Sequence, residues 1–381
     1  MNNEKYCPKI NNGTTYKNLY TIDLFLKKGG MDSEIYLGHY LANNNDKVII
    51  KVIYKPINCQ PEYWQNVINE SITNQRLSGK PNIIKTIESW SEEDKIFIVM
   101  EYVAGVSLKK YLHENGPFLP KIALHYFMKI LFGVKAMHDL KHQIIHRDLK
   151  PENMIINDNL NQITIIDFGI SSVIAKEYSH LLHKDEIKIY TNEIKNEIYG
   201  TYPYLLPDIV DKNQFNYDSQ AAYQAGLTTQ FDFFSLGIIL YEMVIGKQPF
   251  HLENGEREEN ILLKPLKYDM PCISSINKTI PKALENIIFR CIACKKEDKK
   301  YRYATIDQII ADCNNLLNNW NNNDQQLIKP IHNRVLQDYQ IFNFSKIKTQ
   351  QYFYQHWYFF IIMVCFFMVC IFIIIYTIKK M

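Results

Sequence analysis

The residues best suited to chemistry in this sequence lie within one window of twenty positions, 148–167. Asp148, Lys150 and Asn153 are followed there by a second carboxylate, Asp167. A carboxylate can orient and deprotonate a hydroxyl group, and a neighbouring lysine can neutralise a migrating phosphoryl group. An asparagine and a further carboxylate supply the hard oxygen ligands that magnesium prefers. These residue types at this spacing therefore indicate phosphoryl transfer to a hydroxyl.

The segments around these residues resemble those of a known family. The segment HRDLKPEN at 146–153 resembles the catalytic loop of protein kinases, and IIDFG at 165–169 resembles their magnesium-binding motif. The resemblance covers about residues 20–320 and is closest to bacterial, eukaryotic-like serine/threonine kinases that have one membrane span. It implies a nucleotide-binding cleft between two lobes, with ATP and Mg²⁺ as cofactors.

The resemblance also implies a role for each residue of the window. Asp148 would act as the catalytic base or orient the acceptor hydroxyl, and Lys150 would neutralise the transferred phosphate. Asn153 and Asp167 would hold magnesium. A lysine two residues after the catalytic aspartate is typical of serine/threonine kinases and differs from the tyrosine-kinase pattern.

The segment GGMDSEIYL at 29–37 resembles the family's phosphate-binding loop, which often reads GGMxxVYL. Backbone N–H groups approach phosphates closely where glycine side chains are absent. Here Lys28 and Ser33 occupy positions where the motif has glycine, so phosphate clamping is expected to be weaker. The predicted loop contacts to ATP are Lys28, Gly29, Gly30, Ser33 and Ile35.

The segment VIIK at 48–51 resembles the strand motif whose lysine contacts the α- and β-phosphates. That residue is Lys51, and Ile49 takes the place of the usual alanine above the adenine. A lysine facing inward from a strand needs an anionic partner. The predicted partner is Glu70, in a helix expected over residues 61–78, and Glu62 is the alternative.

The remaining nucleotide contacts follow from the same resemblance. Met100 matches the gatekeeper position at the back of the adenine pocket, and Glu101 and Val103 would offer backbone groups to adenine. Ser107 is expected near the ribose. Ile155 completes the predicted nucleotide-binding set.

Downstream, the segment GTYPYLLPD at 200–208 resembles the peptide-docking motif GTxxYxxPE. Thr201 is expected to hydrogen-bond to the catalytic-loop aspartate and lysine. Asp208 replaces the motif's glutamate, and its predicted partner is Arg302, in an ion pair loosened by the shorter side chain. Asp232 is predicted to support the catalytic-loop backbone.

The loop between Asp167 and Asp208 is expected to need a phosphate that pairs with Arg147. The candidate acceptors for autophosphorylation are Thr191, Ser179, Tyr190 and Thr201.

The elements that must position these residues indicate an α+β, bilobal, protein-kinase-like fold. Strands are predicted for 19–26, 34–41, 47–54 and 95–103, with a turn at 43–46, and helices dominate after about residue 107. The predicted organisation is an N-terminal segment (1–19), a β-rich small lobe (20–103), a helical large lobe (104–320), a linker (321–356), a membrane span (357–378) and a short tail (379–381).

The predicted span carries no charged residue from Tyr358 to Ile378. A helix of that length, about 32 Å, matches a bilayer hydrocarbon core of about 30 Å. Aromatic residues at one end and Lys379 and Lys380 at the other resemble interfacial anchors. The sequence therefore predicts a single-pass protein of the cell membrane. Its kinase part would be cytoplasmic, because ATP and magnesium are cytosolic.

Composition limits the partners. The 43 basic and 40 acidic side chains nearly cancel, which argues against nucleic-acid binding driven by phosphate neutralisation. The predicted partners are protein substrates with serine or threonine acceptors, ATP and the lipid bilayer. A homodimer that phosphorylates itself in trans is an open alternative. Two rival functions also stay open, a catalytically weak pseudokinase that acts as a nucleotide-binding membrane scaffold, and a kinase for small molecules.

Overall fold

The computed structural model describes residues 8–29, 32–55, 64, 75, 77–140, 143–157, 159, 161–167, 172–174, 201–209, 228–252, 255–321 and 325–329. Glu62, Glu70, Gly30, the candidate acceptors at 179, 190 and 191, and the predicted span at 357–378 lie outside these residues. None of the helices in the described part of the chain combines the length and the hydrophobicity that a membrane span requires.

The small lobe is built on one antiparallel sheet whose strands run in the order β1-β2-β3-β4-β6-β5. Strands rich in valine, isoleucine and tyrosine suit a pleated, half-buried surface, because branched and aromatic side chains pack well there. The strands are β1 (Thr15–Tyr16), β2 (Tyr20–Lys28), β3 (Ser33–Tyr40), β4 (Asn43–Tyr54), β5 (Thr86–Glu92) and β6 (Lys95–Glu101).

The turn between β3 and β4 lies earlier than predicted. The asparagine-rich run 43–46 was expected to form it, but Asn43 already pairs with Tyr40 across the two strands. Leu41 and Ala42 make the turn instead. A shift in register between His39 and Tyr40 accommodates the longer strand.

The two faces of this sheet have different partners. Alternate residues of β3 and β4, among them Tyr36, Ile50 and Val52, form a separate buried cluster on the outer face. Ile10 packs into that cluster, so part of the segment that precedes β2 covers the sheet. The inner face, which includes Ile98 and the partly buried Ile49, packs against the main core of the large lobe.

The large lobe is helical and surrounds one buried helix. In helix α3 (Gln230–Ile245), every residue from Phe231 to Ile245 is buried. A side chain at Gly237 would overlap Ile292 and Cys291, because helix α6 (Lys282–Ile292) packs against α3 at this point. The helices are α1 (Leu108–Asn115), α2 (Pro120–His138), α3 (Gln230–Ile245), α4 (Lys264–Lys267), α5 (Ile273–Ile276), α6 (Lys282–Ile292) and α7 (Ile306–Asn318).

Five short strands lie between the lobes and carry the motif loops. They are β7 (Val106–Ser107), β8 (Gln143–Ile145), β9 (Met154–Asn157), β10 (Gln162–Ile165) and β11 (Ser172–Ile174). Strands β9 and β10 form an antiparallel hairpin, and β8 pairs with β11. Ile165 bridges to Ile83 of the small lobe. The described residues therefore confirm the bilobal α+β architecture.

Candidate active site

The catalytic loop is held in place by a buried carboxylate from α3. Asp232, which is fully buried, accepts hydrogen bonds from the backbone N–H groups of His146 and Arg147, both at 2.9 Å. The Nε2 atom of His138 lies 2.8 Å from the same carboxylate. Arg147 has a positive φ of 63°, a conformation that a non-glycine residue keeps only when its surroundings enforce it. The supporting role predicted for Asp232 is thus confirmed.

These contacts also fix protonation states. Burial by itself raises the pKa of Asp232. The hydrogen bond and charge of His138, together with contributions from His146, lower the pKa by more, so it lies below its ordinary value. Burial lowers the pKa of His146, so its imidazole stays neutral. Its Nδ1 atom can therefore accept the N–H of Asp148, at 3.3 Å. The backbone of the catalytic loop is therefore hydrogen-bonded to an ionised carboxylate, that of Asp232.

Asp148, Lys150, Asn153 and Thr201 form one connected cluster. Asp148 Oδ1 accepts the hydroxyl of Thr201 at 3.0 Å, and Asp148 Oδ2 accepts Asn153 Nδ2 at 3.1 Å. Lys150 Nζ lies 2.7 Å from Asp148 Oδ2 and donates to Thr201 Oγ1, also at 2.7 Å. The contacts predicted for Thr201 are therefore present. Together they hold both carboxylate oxygens of Asp148 in a fixed orientation.

The β9–β10 hairpin brings the two predicted magnesium ligands to the same end. Asn153 directly precedes β9 and Asp167 lies just beyond β10, and Ile166 N–H donates to the carbonyl of Asn153 at 3.0 Å. No group of three or more His, Cys, Asp or Glu side chains among the described residues could hold a metal. A magnesium site that shares phosphate oxygens needs no such group, since one or two protein oxygens suffice. The amide oxygen of Asn153 and the carboxylate of Asp167 are ligands of the chemical type that magnesium prefers.

Lys51 faces the cleft from the middle of β4, opposite Ile35 of β3 and Ile98 of β6. Its Nζ atom lies 2.9 Å from Asp167 Oδ1, and the two side chains are 12% and 34% exposed. This ion pair joins the small lobe to the magnesium-binding motif. The predicted pairing of Lys51 with Glu70 stays a prediction, because Glu70 lies outside the described residues.

The phosphate loop is closed at its base by the N–H of Gly29, which donates to the carbonyl of Ser33 at 2.7 Å. A Cβ at Gly29 would overlap the hydroxyl of Ser33, which is fully buried beneath it. A side chain at position 29 would therefore displace the Ser33 hydroxyl. Lys28 is exposed at the end of β2, where its backbone lies opposite that of Glu34 in β3.

The predicted adenine contacts lie around the junction of the lobes. Met100 is buried in β6 opposite the partly buried Ile49 of β4, and Val103 packs against the same main core. The N–H of Glu101 already donates to the carbonyl of Lys85 at 3.0 Å. Adenine recognition by Glu101 would therefore use its carbonyl.

Ser107 and Ile155 are neighbours across β7 and β9. Ser107 caps α1, because its hydroxyl oxygen accepts the N–H of Lys110 at 3.2 Å. This role was not foreseen from the sequence. The hydroxyl proton of Ser107 can still serve a ribose.

The predicted ion pair between Asp208 and Arg302 is present, but it is not loosened. Both guanidinium nitrogens, Nη1 and Nη2, donate to the two carboxylate oxygens at 3.0 Å. Lys299 adds a contact at 2.6 Å, so the shorter side chain of aspartate is compensated by a second cation. Burial raises the pKa of Asp208, and the Arg302 and Lys299 contacts outweigh it and lower the pKa.

Sequence reasoning missed two residues that support this site. His138 reaches Asp232 from the end of α2, and the two residues are 94 positions apart. Lys299 reaches Asp208 across 91 positions. His138 lies in no motif, and Lys299 stands three residues before Arg302 without having been assigned a role, so only their place in the fold reveals these contacts.

Comparison with known proteins agrees with this geometry. The profile of the protein kinase domain family matches residues 29–312. A Mycoplasma pneumoniae protein described as a serine/threonine-protein kinase is 31% identical over 348 residues, which is 85% of each chain. Its counterpart in Mycoplasma genitalium is 32% identical over 85% of this chain and 86% of its own. The serine/threonine-protein kinase PrkC of Bacillus subtilis is 31% identical over 77% of this chain and 40% of its own.

Proposed function

Because the chain belongs to the protein kinase family and is a protein serine/threonine kinase, we propose that it transfers the γ-phosphate of ATP to serine and threonine hydroxyls of proteins, itself included. We propose further that it does so while anchored in the cell membrane by residues 357–378, with the kinase lobes in the cytoplasm. The observation that carries the catalytic part is the cluster in which Lys150 and Thr201 bind Asp148.

In this mechanism, Asp148 orients the acceptor hydroxyl and receives its proton. Its carboxylate is held by Thr201 on one oxygen and by Asn153 and Lys150 on the other, so its direction is set before a substrate arrives. Lys150 places a positive charge beside the same carboxylate, where negative charge develops on the transferred group. Thr201 stands at the start of the docking segment, which couples an acceptor peptide to the catalytic loop.

The nucleotide would be held from the opposite side of the cleft. Lys51, fixed by Asp167, is the cation for the phosphates, and the backbone around Gly29 is the loop that covers them. Asn153 and Asp167 would hold magnesium, which when bound neutralises charge on the phosphate oxygens. Every charge that this chemistry requires of the described residues is in place, which favours catalysis over a scaffold role.

A peptide acceptor is supported by the docking segment. Tyr202, Pro203 and Leu205 lie beside Phe250 and Ile261, which places the segment against the large lobe. The segment is fixed at its far end by the bidentate pair of Asp208 and Arg302. A kinase for small molecules would have no need of a peptide-docking segment.

Membrane anchoring is supported by the uncharged run between Tyr358 and Ile378. The large lobe holds the chain up to Lys329, whose Nζ atom lies 2.8 Å from Asp269 and 2.7 Å from Asp298. Residues 330–356 then remain as the connection to the span.

The test of catalysis uses the full chain in detergent with Mg²⁺ and radiolabelled ATP, with and without a generic basic acceptor protein. We expect label on serine and threonine, and mapping of the autophosphorylated sites to the region between residues 170 and 201. The hydroxyl of Thr201 already serves the cluster, so Thr191 and Ser179 are the better acceptors. ATP binding without any phosphate transfer would contradict the proposal and favour the pseudokinase scaffold.

The test of anchoring compares membranes that contain the full chain with membranes from cells that express residues 1–356. After extraction at alkaline pH, the full chain should remain with the lipid and the shorter chain should be released. Release of both would contradict the anchor and leave the catalytic proposal unaffected.

A further inference from the structure

A buried carboxylate lies behind the phosphate loop, on the face of the sheet that is turned away from the cleft. Glu34, 1% exposed, directly follows Ser33 in β3. Its carboxylate accepts the hydroxyls of Tyr36 and of Tyr54, the latter at 2.6 Å. It also accepts the backbone N–H of Lys9, at 3.1 Å and 3.3 Å to its two oxygens. A carboxyl group this deeply buried needs such hydrogen-bond donors around it.

Both tyrosines stay protonated, so both can donate. Burial raises the pKa of Tyr36 and of Tyr54, and their hydrogen bonds to Glu34 raise both further. Neither hydroxyl ionises at physiological pH. Loss of either hydroxyl would therefore remove a donor from a buried carboxylate, which is the costly direction of change.

Residues 8–10, which we call the N-terminal clasp, make further contacts to the same region. The N–H of Ile10 donates to the hydroxyl of Tyr36 at 3.2 Å, and the Ile10 side chain is buried in the outer cluster. Lys9 Nζ lies 3.1 Å from Asp32 Oδ2 and 3.9 Å from the centroid of the Tyr54 ring. The clasp therefore contacts β3, the end of β4 and the phosphate loop itself.

The loop is tied to these same residues through its backbone. Asp32, with a positive φ of 47°, has its carbonyl oxygen bonded by the N–H of Tyr54 at 3.1 Å. In the sheet, the backbone of Glu34 lies opposite Lys28 of β2 and Val52 of β4. Lys28 precedes the loop and Glu34 follows it, so the two ends of the loop lie side by side at Glu34. The loop lacks glycine at positions 28 and 33, so its course depends on contacts of this kind.

We propose that the N-terminal clasp, acting through Glu34, fixes the two ends of the phosphate loop, residues 28–29 and 32–33, and makes Glu34 a positioning residue for ATP. This inference rests on the proposed function, because it concerns the nucleotide site of the kinase. A loop held in its binding conformation loses less freedom when ATP binds, and the affinity rises accordingly. Glu34 itself lies on the outer face and touches no nucleotide.

The first experiment compares two matched tyrosine substitutions in the full chain. Tyr54→Phe removes a hydroxyl that donates to Glu34, and Tyr20→Phe removes a hydroxyl that donates to Glu88 at 2.7 Å in the same sheet. Tyr20 stands at the other end of β2, about 26 Å from Lys28 at 3.3 Å per residue. Both variants lose one tyrosine–glutamate hydrogen bond, but only the bond between Tyr54 and Glu34 lies behind the phosphate loop.

The readouts are hydrogen exchange of the peptide that covers residues 28–35 without nucleotide, and the Kd for a non-hydrolysable ATP analogue. For Tyr54→Phe we expect exchange at least fivefold faster and binding three- to tenfold weaker than in the wild type. The Michaelis constant for ATP should rise by the same factor, with kcat changed less than twofold. Tyr20→Phe should match the wild type in loop exchange, in the Kd, in the Michaelis constant for ATP and in kcat.

A second pair separates the backbone of the clasp from its charge. Lys9→Pro removes the N–H that reaches Glu34, while Lys9→Ala keeps it and removes the side-chain contacts of Lys9 to Asp32 and to the Tyr54 ring. We expect Lys9→Pro to reproduce the effect of Tyr54→Phe and Lys9→Ala to change affinity less than twofold. If Lys9→Pro fails to fold in a thermal melt, the tyrosine pair decides.

Equal loop exchange and equal nucleotide affinity in Tyr54→Phe and Tyr20→Phe would overturn the inference. That result differs from failure of the proposed function, in which the wild type itself would bind ATP without transferring phosphate, or would bind no nucleotide at all. Loop exchange can be measured in either case, because it needs no ATP.

Discussion

Replacing Thr201 by valine tests how the catalytic aspartate is oriented. Valine has nearly the shape of threonine but lacks the hydroxyl that donates to Asp148 Oδ1 at 3.0 Å and accepts from Lys150 Nζ at 2.7 Å. Hydrogen bonds to charged groups contribute about 1.5–3 kcal/mol each. The Asp148 and Lys150 side chains are 18% and 21% exposed, so solvent can replace part of what is lost.

We therefore expect the two lost bonds to raise the activation barrier by about 2–3 kcal/mol in total, which corresponds to a decrease in kcat of about 30- to 150-fold. The assay is the initial rate of phosphate transfer to a basic acceptor protein at saturating ATP. Thr201→Ser keeps the hydroxyl and serves as the control, with kcat expected within about threefold of the wild type. The Michaelis constant for ATP should change little in both variants, because neither hydrogen bond reaches the phosphate loop.

A Thr201→Val protein that folds normally and keeps at least half of the wild-type kcat would refute this reasoning. It would mean that Asn153 and Lys150 orient Asp148 without help from the docking segment. A parallel thermal melt distinguishes that result from loss of the folded state.

Further predictions concern the ion pairs around the site. Lys51→Met should weaken ATP-analogue binding at least tenfold and abolish nucleotide-induced thermal stabilisation, because it removes the cation that meets Asp167; stabilisation equal to the wild type would contradict this. Arg302→Met should lower the free energy of unfolding by about 1.5–3 kcal/mol in denaturant titrations, since it removes the bidentate hydrogen bonds to Asp208 but leaves the contact from Lys299; a loss below about 1 kcal/mol would contradict the importance of the pair. Burial raises the pKa of Asp269, but hydrogen bonds from two lysines outweigh it and lower the pKa to about 2, from an ordinary 3.8. The stability that Asp269 contributes is therefore complete above pH 3.8 and lost as pH falls through about 2. In acid unfolding curves, the difference in free energy of unfolding between the wild type and Asp269→Asn should vanish over that interval. A constant difference down to pH 2 would contradict this prediction.

Much of the site could be predicted from the sequence because its chemistry is concentrated in short segments. Asp148, Lys150 and Asn153 share one loop, and their types and spacing alone indicate phosphoryl transfer. Pairs between distant segments, such as Asp208 with Arg302, were accessible through family resemblance. Residue type and local spacing carry no information about which segments fold against each other.

The contacts that escaped prediction depend on tertiary packing outside the motifs. Ser107 was assigned to the ribose, but its position before α1 also makes it the helix cap. The turn at Leu41 was misplaced because asparagine favours turns locally, whereas pairing with β3 extended β4 through the asparagines. Glu34 is buried together with Tyr36, Tyr54 and the clasp, and the sequence does not show that these segments meet at its carboxylate.

The most direct measurement of the central claim is phosphate transfer by the full chain, wild type beside Asp148→Asn, at matched occupancy with ATP. The account predicts label on serine and threonine in the wild type and a rate at least about 100-fold lower in the variant, because the orienting carboxylate supplies catalysis of roughly that size. Nucleotide affinity should be unchanged. Equal rates in the two proteins, or no label in a wild type that binds ATP, would contradict it.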